Sequence, residues 1–174
     1  MPPPPDHPNV QAVVAALRAG GAAASGARMR VLPDAVTTAR AAADALGIEV
    51  GQIANSLIFV LEWSAGGTSV STEPLLVLAS GAHRVDTAKL AAQLGAAAIR
   101  RADQKFVRAA TGQVIGGVAP VGHPARLRTV VDTALAEYPE VWAGGGIPHA
   151  VFPTSFDELI TLTGGAAAAV AEGS

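Results

Sequence analysis

The sequence contains no cysteine, which excludes disulfides, thiolate zinc sites and a cysteine nucleophile. Aromatic residues make up 4% of the 174 positions and charged residues 15%, and alanine and glycine fill much of the apolar half. No apolar run reaches the roughly 18–20 residues that span a bilayer, so no membrane partner is expected. The longest such run, Ser56 to Trp63, suits a buried strand. The opening "MPPPPDHP" has neither the basic nor the apolar region of a secretory leader, and the expected location is cytoplasmic. Its four prolines favour extended chain, so residues 1–8 are expected to be a disordered tail ahead of a single domain over 9–174. Net charge is −2, which leaves nucleic-acid contact to local patches.

What is present is a series of well-marked elements. Val10, Val13, Val14 and Leu17 form the apolar stripe of a helix over Asn9 to Ala19, stopped by Gly20 and Gly21. A strand-like piece is expected near Met29 to Leu32. "TTARAAADALG" predicts a helix capped by Thr37 or Thr38 and ended by Gly47. "NSLIFVLEW" and "PLLVLAS" predict paired strands. "VDTAKLAAQLG" predicts a helix with Asp86 as cap, a Val85–Leu90 staple and Gly95 as stop, and a shorter one follows from Asp103 to Ala110. Strands are expected at Gln113 to Ile115 and at Leu127 to Asp132, where Arg126 and Arg128 would share a face. "VWAGGGIPHAVFP" reads as two strands around a glycine bend. "SFDELITLTGG" reads as a last helix with a Ser155–Glu158 capping box. Without regular βαβ spacing, the fold class is α+β, a mixed and strongly twisted sheet with helices around it.

Conventional site chemistry is scarce. "GGVAPVG" lacks the Gly-Lys-Ser/Thr of a phosphate loop, and "AGGGIP" does not open a helix as a dinucleotide fingerprint would. His7, His83, His123 and His149 lie far apart with no ligand partner at i+3 or i+4, so neither a metal nor a cofactor is expected. "RRADQKFVR" gathers Arg100, Arg101, Lys105 and Arg108, either a solvated helix face or a patch for a nucleic-acid backbone. "TGQVIGGVAPVGHP" poses the main question: a bare, stiffened turn where a strand should be gaining hydrogen bonds. Taken alone it is a bulge or tight turn.

Four segments in series resemble one family, the free-standing YbaK-like relatives of the editing domain found in bacterial prolyl-tRNA synthetases. They are "TTARAAADALGIEVGQIANSLIF", "LLVLASGAHRVDTAKLAAQLG", "RADQKFVRAATGQVIGGVAPVGHP" and "TVVDTALAEYPEVWAGGGIPHAVFPTSFDELITLTG". The resemblance implies a highly twisted, barrel-like mixed sheet surrounded by helices. It also implies hydrolysis of the ester between a wrong, small amino acid and the 3′ end of a transfer RNA. The partners so implied are that aminoacyl-tRNA end and an aminoacyl-tRNA synthetase.

The family's Gly-x-x-x-Pro loop falls on Gly116, Gly117, Val118, Ala119 and Pro120, where exposed amides could stabilise an anionic tetrahedral intermediate by roughly 3 kcal/mol per donor. His149 falls near a pocket histidine of the family, with a strand histidine satisfied by backbone as the plainer reading. The family's lysine is replaced here by Asn55, which can hydrogen-bond but brings no charge. Asn55 and Ser56 are then expected at the terminal adenosine. Arg126 and Arg128 join the Arg100 to Arg108 cluster as contacts for the tRNA backbone. Two rival readings stay open: a module that binds a tRNA end or a synthetase without cleaving it, and a hydrolase of another small activated ester.

Overall fold

The computed structural model describes residues 6–172, so most of the expected tail, residues 1–5, lies outside them. Helix α1 (Pro8–Ala19) begins at the last residue of that expected tail. Proline in the first turn forfeits no intrahelical bond, and His7 caps the turn by accepting from the Asn9 amide at 3.1 Å. Val10, Val13 and Leu17 are buried as the stripe predicts. A short α2 (Ala23–Ala27) follows with no side-chain cap, and the sequence reading missed it.

Four further helices obey one rule. In α3 (Ala39–Leu46), α4 (Thr87–Leu94), α5 (Gln104–Thr111) and α6 (Phe156–Thr163), a Thr, Asp, Asp and Ser side chain accepts from the amide three residues on. A left-handed glycine ends each of them. Such a cap is worth about 1 kcal/mol. Only half of the expected capping box on α6 forms: Ser155 accepts from the Glu158 amide, but the Glu158 carboxylate accepts instead from Ser25 Oγ (2.6 Å) and Thr154 Oγ1 (2.8 Å). Those two hydroxyls tie α6 to α2 and to the preceding strand, a tertiary use that outcompetes the local one.

The strands are β1 (Arg30–Val31), β2 (Ile53–Ser64), β3 (Val70–Ser80), β4 (Ala98–Arg101), β5 (Arg128–Asp132), β6 (Val141–Gly144), β7 (Ala150–Thr154) and β8 (Ala166–Ala168). They form one eight-stranded sheet in the order β1-β7-β6-β2-β3-β5-β8, with β4 beside β2. It is mixed: β2–β6, β3–β5 and β5–β8 are parallel, and the remaining pairs antiparallel. The α+β class and mixed sheet expected from the sequence are therefore what the chain adopts.

The apolar run in β3 divides by its period of two. Leu75, Val77 and Ala79 pack with Leu90 of α4 on one face, and Leu76 and Leu78 pack with Phe152 and Leu159 on the other. Val85, packed on the Leu90 cluster, takes the staple position expected of it. A third, smaller cluster lies under α3, where Ala42 and Ala43 meet Ile53, Trp142 and Val151. Each fully buried Leu or Val contributes roughly 1.5–3 kcal/mol. No helix among the described residues is long and apolar enough to cross a membrane.

The expected strand at Gln113 to Ile115 does not form. Gly112 reverses the chain with φ +74°, and the Gly117 amide closes a turn on Val114 O at 2.9 Å. β5 lies between β3 and β8. β5 starts at Arg128, so Arg126 precedes the strand instead of alternating along it. The basic run is likewise not one helix face: Arg100 and Arg101 end β4, while Lys105 and Arg108 ride on α5.

Candidate active site

The site arises from a gap in the sheet. Along the edge of β2 that faces away from β3, β6 covers residues 53–54 and β4 covers residues 59–62. Between them, residues 55–58 have a strand partner on the β3 side only. The Gly81 amide donates to Ile53 O at 2.8 Å, which fixes the phase of the β2–β3 ladder. By the alternation of an antiparallel pair, Asn55 then spends its backbone groups on Ala79, and Ser56 turns its N–H and C=O toward the gap.

A cavity of about 280 Å³ opens there. Thr37, Thr38 and Ala39 at the start of α3 line it, with Asn55, Ser56 and Leu57 of β2, Ile115, Gly116 and Val118 of the loop, and Gly144, Pro148 and Ala150 of the β6–β7 bend. No Asp, Glu, Lys, Arg or His among the described residues lies on its wall.

The loop after α5 explains its own glycines. Gly116 has φ +92°, a backbone that L side chains resist, and a Cβ there would meet Thr37 at 3.2 Å. A Cβ on Gly117 would lie 2.8 Å from the Ile147 carbonyl carbon, so only glycine lets the loop seat on the β6–β7 bend. Across that bend, a Cβ on Gly144 would meet Val118 O at 2.6 Å. Over residues 115–119, three of the loop's amides are spent: Ile115 on Gln104 Oε1 at 3.1 Å, Gly117 on Val114 O, and Ala119 on Gln113 Oε1 at 2.8 Å. The amides of Gly116 and Val118 have no hydrogen-bond partner among the described residues, and both residues line the cavity. Ser56 Oγ, on the same wall, is buried and also unpartnered. An unsatisfied buried polar group costs about 1–3 kcal/mol, which applies here to the Ser56 hydroxyl; Gly116 is only half-buried.

The other residues singled out in the sequence are placed as follows. Ala119 is fully buried behind the wall, and Pro120 lines a second cavity with His123. His149 lies outside the wall residues; its Nδ1 is 3.3 Å from Leu32 O and its own carbonyl accepts from the Leu32 amide at 2.7 Å, which ties it to the segment after β1. Arg100 pairs with Glu62 at 2.7 Å, and Arg128 pairs with Glu73 while lying over the Trp63 ring. Arg126 lines the second cavity and, with Arg128, a third. Arg101, Lys105 and Arg108 make no ion pair among the described residues. Asp132 is buried at 1% exposure and accepts from the Ser80 and Ala134 amides and meets the His83 ring at 2.8 Å, joining the ends of β3 and β5. No group of three metal-ligating side chains occurs among the described residues.

Two participants escaped the sequence reading. Gln113, read there as a strand residue, is the buried acceptor that holds the loop. Arg30 lies 5.9 Å from the centroid of Trp142, a wall residue, and brings a guanidinium beside a cavity that has no charge of its own. A polar side chain directly after a helix-ending glycine was the only signal for the first. The second needs the β1–β7 pairing, which joins residues far apart in sequence.

The gap in the mixed sheet thus holds an uncharged cleft, with the Gly116 and Val118 amides and the Ser56 hydroxyl on its wall. Residues 33–162 match the aminoacyl-tRNA editing domain family, and the chain belongs to that family. It is similar over 96% of its length to 99% of a crystal structure of a proposed trans-editing enzyme for prolyl tRNA synthetase, with 40% identity and a TM-score of 0.83. A scaffold protein from work on computational grafting of epitope backbones is 38% identical, with a TM-score of 0.81 over 95% of this chain and 99% of that one. A hypothetical protein of known crystal structure is 29% identical, with a TM-score of 0.77 over 92% and 99%.

Proposed function

We propose that this chain, as a single editing domain, is a trans-acting aminoacyl-tRNA deacylase. Water adds to the carbonyl carbon of the ester joining an amino acid to the terminal ribose, the carbon–oxygen bond to the ribose breaks, and free amino acid and tRNA leave. The observation that carries this reading is the pair of unpartnered amides at Gly116 and Val118, set on one cavity wall with the buried Ser56 hydroxyl. Donors fixed in advance at the oxygen that gains charge are worth roughly 3 kcal/mol each.

The wall offers no carboxylate or imidazole as a general base. An aminoacyl ester is already activated, and the neighbouring 2′-hydroxyl of the terminal adenosine can relay the proton. Asn55 and Ser56 hydrogen-bond that adenosine or the ester, and Val118 limits the size of the acyl side chain. One methylene gives only about 1–3 kcal/mol of discrimination, which is why a separate size-based sieve is useful after charging.

The test is a deacylation screen of purified protein against a panel of tRNAs charged with cognate and non-cognate small amino acids. Release from at least one mischarged species, sparing the cognate one, is the expected result. A second reading, a module that holds the tRNA end or a synthetase without cleaving it, draws support from Asn55, which leaves the cavity without a cation. Tight tRNA binding with no hydrolysis across the panel selects that reading. Cleavage of simple activated esters but of no aminoacyl-tRNA selects a third, a hydrolase of another small ester.

A further inference from the structure

We infer that Gln113 and His123 are positioning residues: they hold Ala119 at its N–H and at its C=O, in the two peptide groups that flank it, and thereby set the aim of the Gly116 and Val118 amides. The inference rests on the deacylase reading above. On one side, Gln113 Oε1 accepts from the Ala119 amide at 2.8 Å. On the other, His123 Nε2 lies 2.8 Å from Ala119 O. A carbonyl can only accept, so His123 carries its proton on Nε2 and donates.

Gln113 is 1% exposed; its backbone N–H donates to Thr111 Oγ1 at 2.9 Å, while its side-chain Nε2 is buried without a partner. That hydroxyl bonds Val107 O at 2.7 Å, so the chain of contacts runs back into α5. His123 sits in the second cavity, about 360 Å³, between Ala16 and Ala19 of α1 and Leu162 of α6. Arg126 is the other charged or titratable residue on that wall. The Ala119 N–H lies in the Val118–Ala119 peptide and the Val118 N–H one peptide plane earlier, so a rotation of the held peptide reaches the Val118 amide through the backbone dihedrals of Val118. A misplacement of about 1 Å near reacting atoms can cost about 100-fold in rate.

Desolvation holds the His123 imidazole below its usual pKa of 6.5, partly offset by the bond to Ala119. Charging it therefore favours its departure from the cavity, which gives the grip a pH signature: activity falls on the acid side as His123 takes up a proton.

The experiment compares wild type with Gln113→Met, His123→Leu and His123→Gln. The readouts are kcat and KM on the mischarged tRNA found by the screen, and amide hydrogen exchange over residues 114–121. Gln113→Met and His123→Leu are expected to lower kcat about tenfold to 100-fold with KM within about twofold, and to speed exchange at 116–119. His123→Gln keeps an N–H donor; it restores kcat and flattens the acid limb of the pH profile. Unchanged kcat in Gln113→Met and His123→Leu despite a lower Tm, or unchanged exchange in both, overturns the inference. Should wild type cleave no aminoacyl-tRNA, the deacylase reading falls by itself. The exchange data still decide whether the two side chains hold the loop.

Discussion

At the start of β2, Ser56 keeps a buried hydroxyl without a partner beside the free amides of Gly116 and Val118. Six residues further along the same strand, at most about 20 Å away, Glu62 receives Arg100 at 2.7 Å. Across the hairpin Glu73 holds Arg128. One end of the hairpin withholds partners from uncharged donors and the other supplies carboxylates to Arg100 and Arg128. The withheld partners are the costly ones, since a surface ion pair is worth about 0–1 kcal/mol and an orphaned buried donor costs about 1–3. On the proposed function, the groups at the cavity end are left for the bound ester.

The sharpest way to break this contrast is at Gly116. Gly116→Val forces a β-branched side chain onto φ +92° and against Thr37, so the loop must move. Deacylation is expected to fall by about 100-fold or more, the order found when an oxyanion donor is removed. Steady-state kinetics beside a melting curve separate this from unfolding. A variant that turns over like wild type would take the loop out of the mechanism.

Asn55 comes next. Asn55→Lys puts an ammonium on a wall that has no charge and no carboxylate to neutralise it. If phosphate or ribose oxygens of the tRNA end pass there, the new charge-assisted bond lowers KM, by up to about tenfold. Asn55→Ala moves KM the other way. A fall in kcat with Asn55→Lys would instead mean that asparagine itself serves the bound ester.

How much of this was readable beforehand follows from the range of the forces involved. Thr38 with Gly47 and Asp86 with Gly95 act within a few residues, so caps and stops located α3 and α4. The alternation in β3 was local as well. β8 is three alanines, strong helix formers, that become a strand because β5 offers them a ladder, so tertiary pairing overrode propensity. β4 ends in two arginines and lacks an apolar run; its register against residues 59–62 makes it a strand. Asn55, Ser56, Gly116 and Val118 could be named from likeness to a family. The cavity that gathers them depends on where β6 stops and β4 begins along β2, which no short stretch encodes. Gln113 shows the converse error: its neighbours suggested a strand, and Gly112 had already turned the chain.

A smaller effect, away from both ends of the hairpin, is a pH dependence of stability at His123. The unfolded chain protonates His123 near 6.5, while the folded chain resists until a lower pH, so the unfolded state binds more protons between those points. Stability is held above pH 6.5, declines as the pH falls toward the folded-state pKa, and levels off below it. Thermal melts from pH 7.5 to 5 are expected to show this decline in wild type and less of it in His123→Gln. Equal slopes would place the titrating group elsewhere.

The least disruptive changes sharpen the contrast at the charged end. Arg101, Lys105 and Arg108 have no ion pair among the described residues, whereas Arg100 and Arg128 are already committed to carboxylates. A cation that is free can release a counterion from a phosphate, and each such contact contributes about 0.7–0.9 to the slope of log affinity against log salt. A paired one must first give up its carboxylate. Removing Arg101, Lys105 and Arg108 together is therefore expected to weaken tRNA binding several-fold and flatten the salt dependence. Removing Arg100 and Arg128 is expected to leave both nearly unchanged and to cost at most about 1 kcal/mol of stability per pair. Filter binding across a salt series reads the two sets directly. Were the paired arginines to carry the salt dependence instead, Glu62 and Glu73 would be holding them in place for the nucleic acid, and the charged end of the hairpin would also be a site awaiting its ligand.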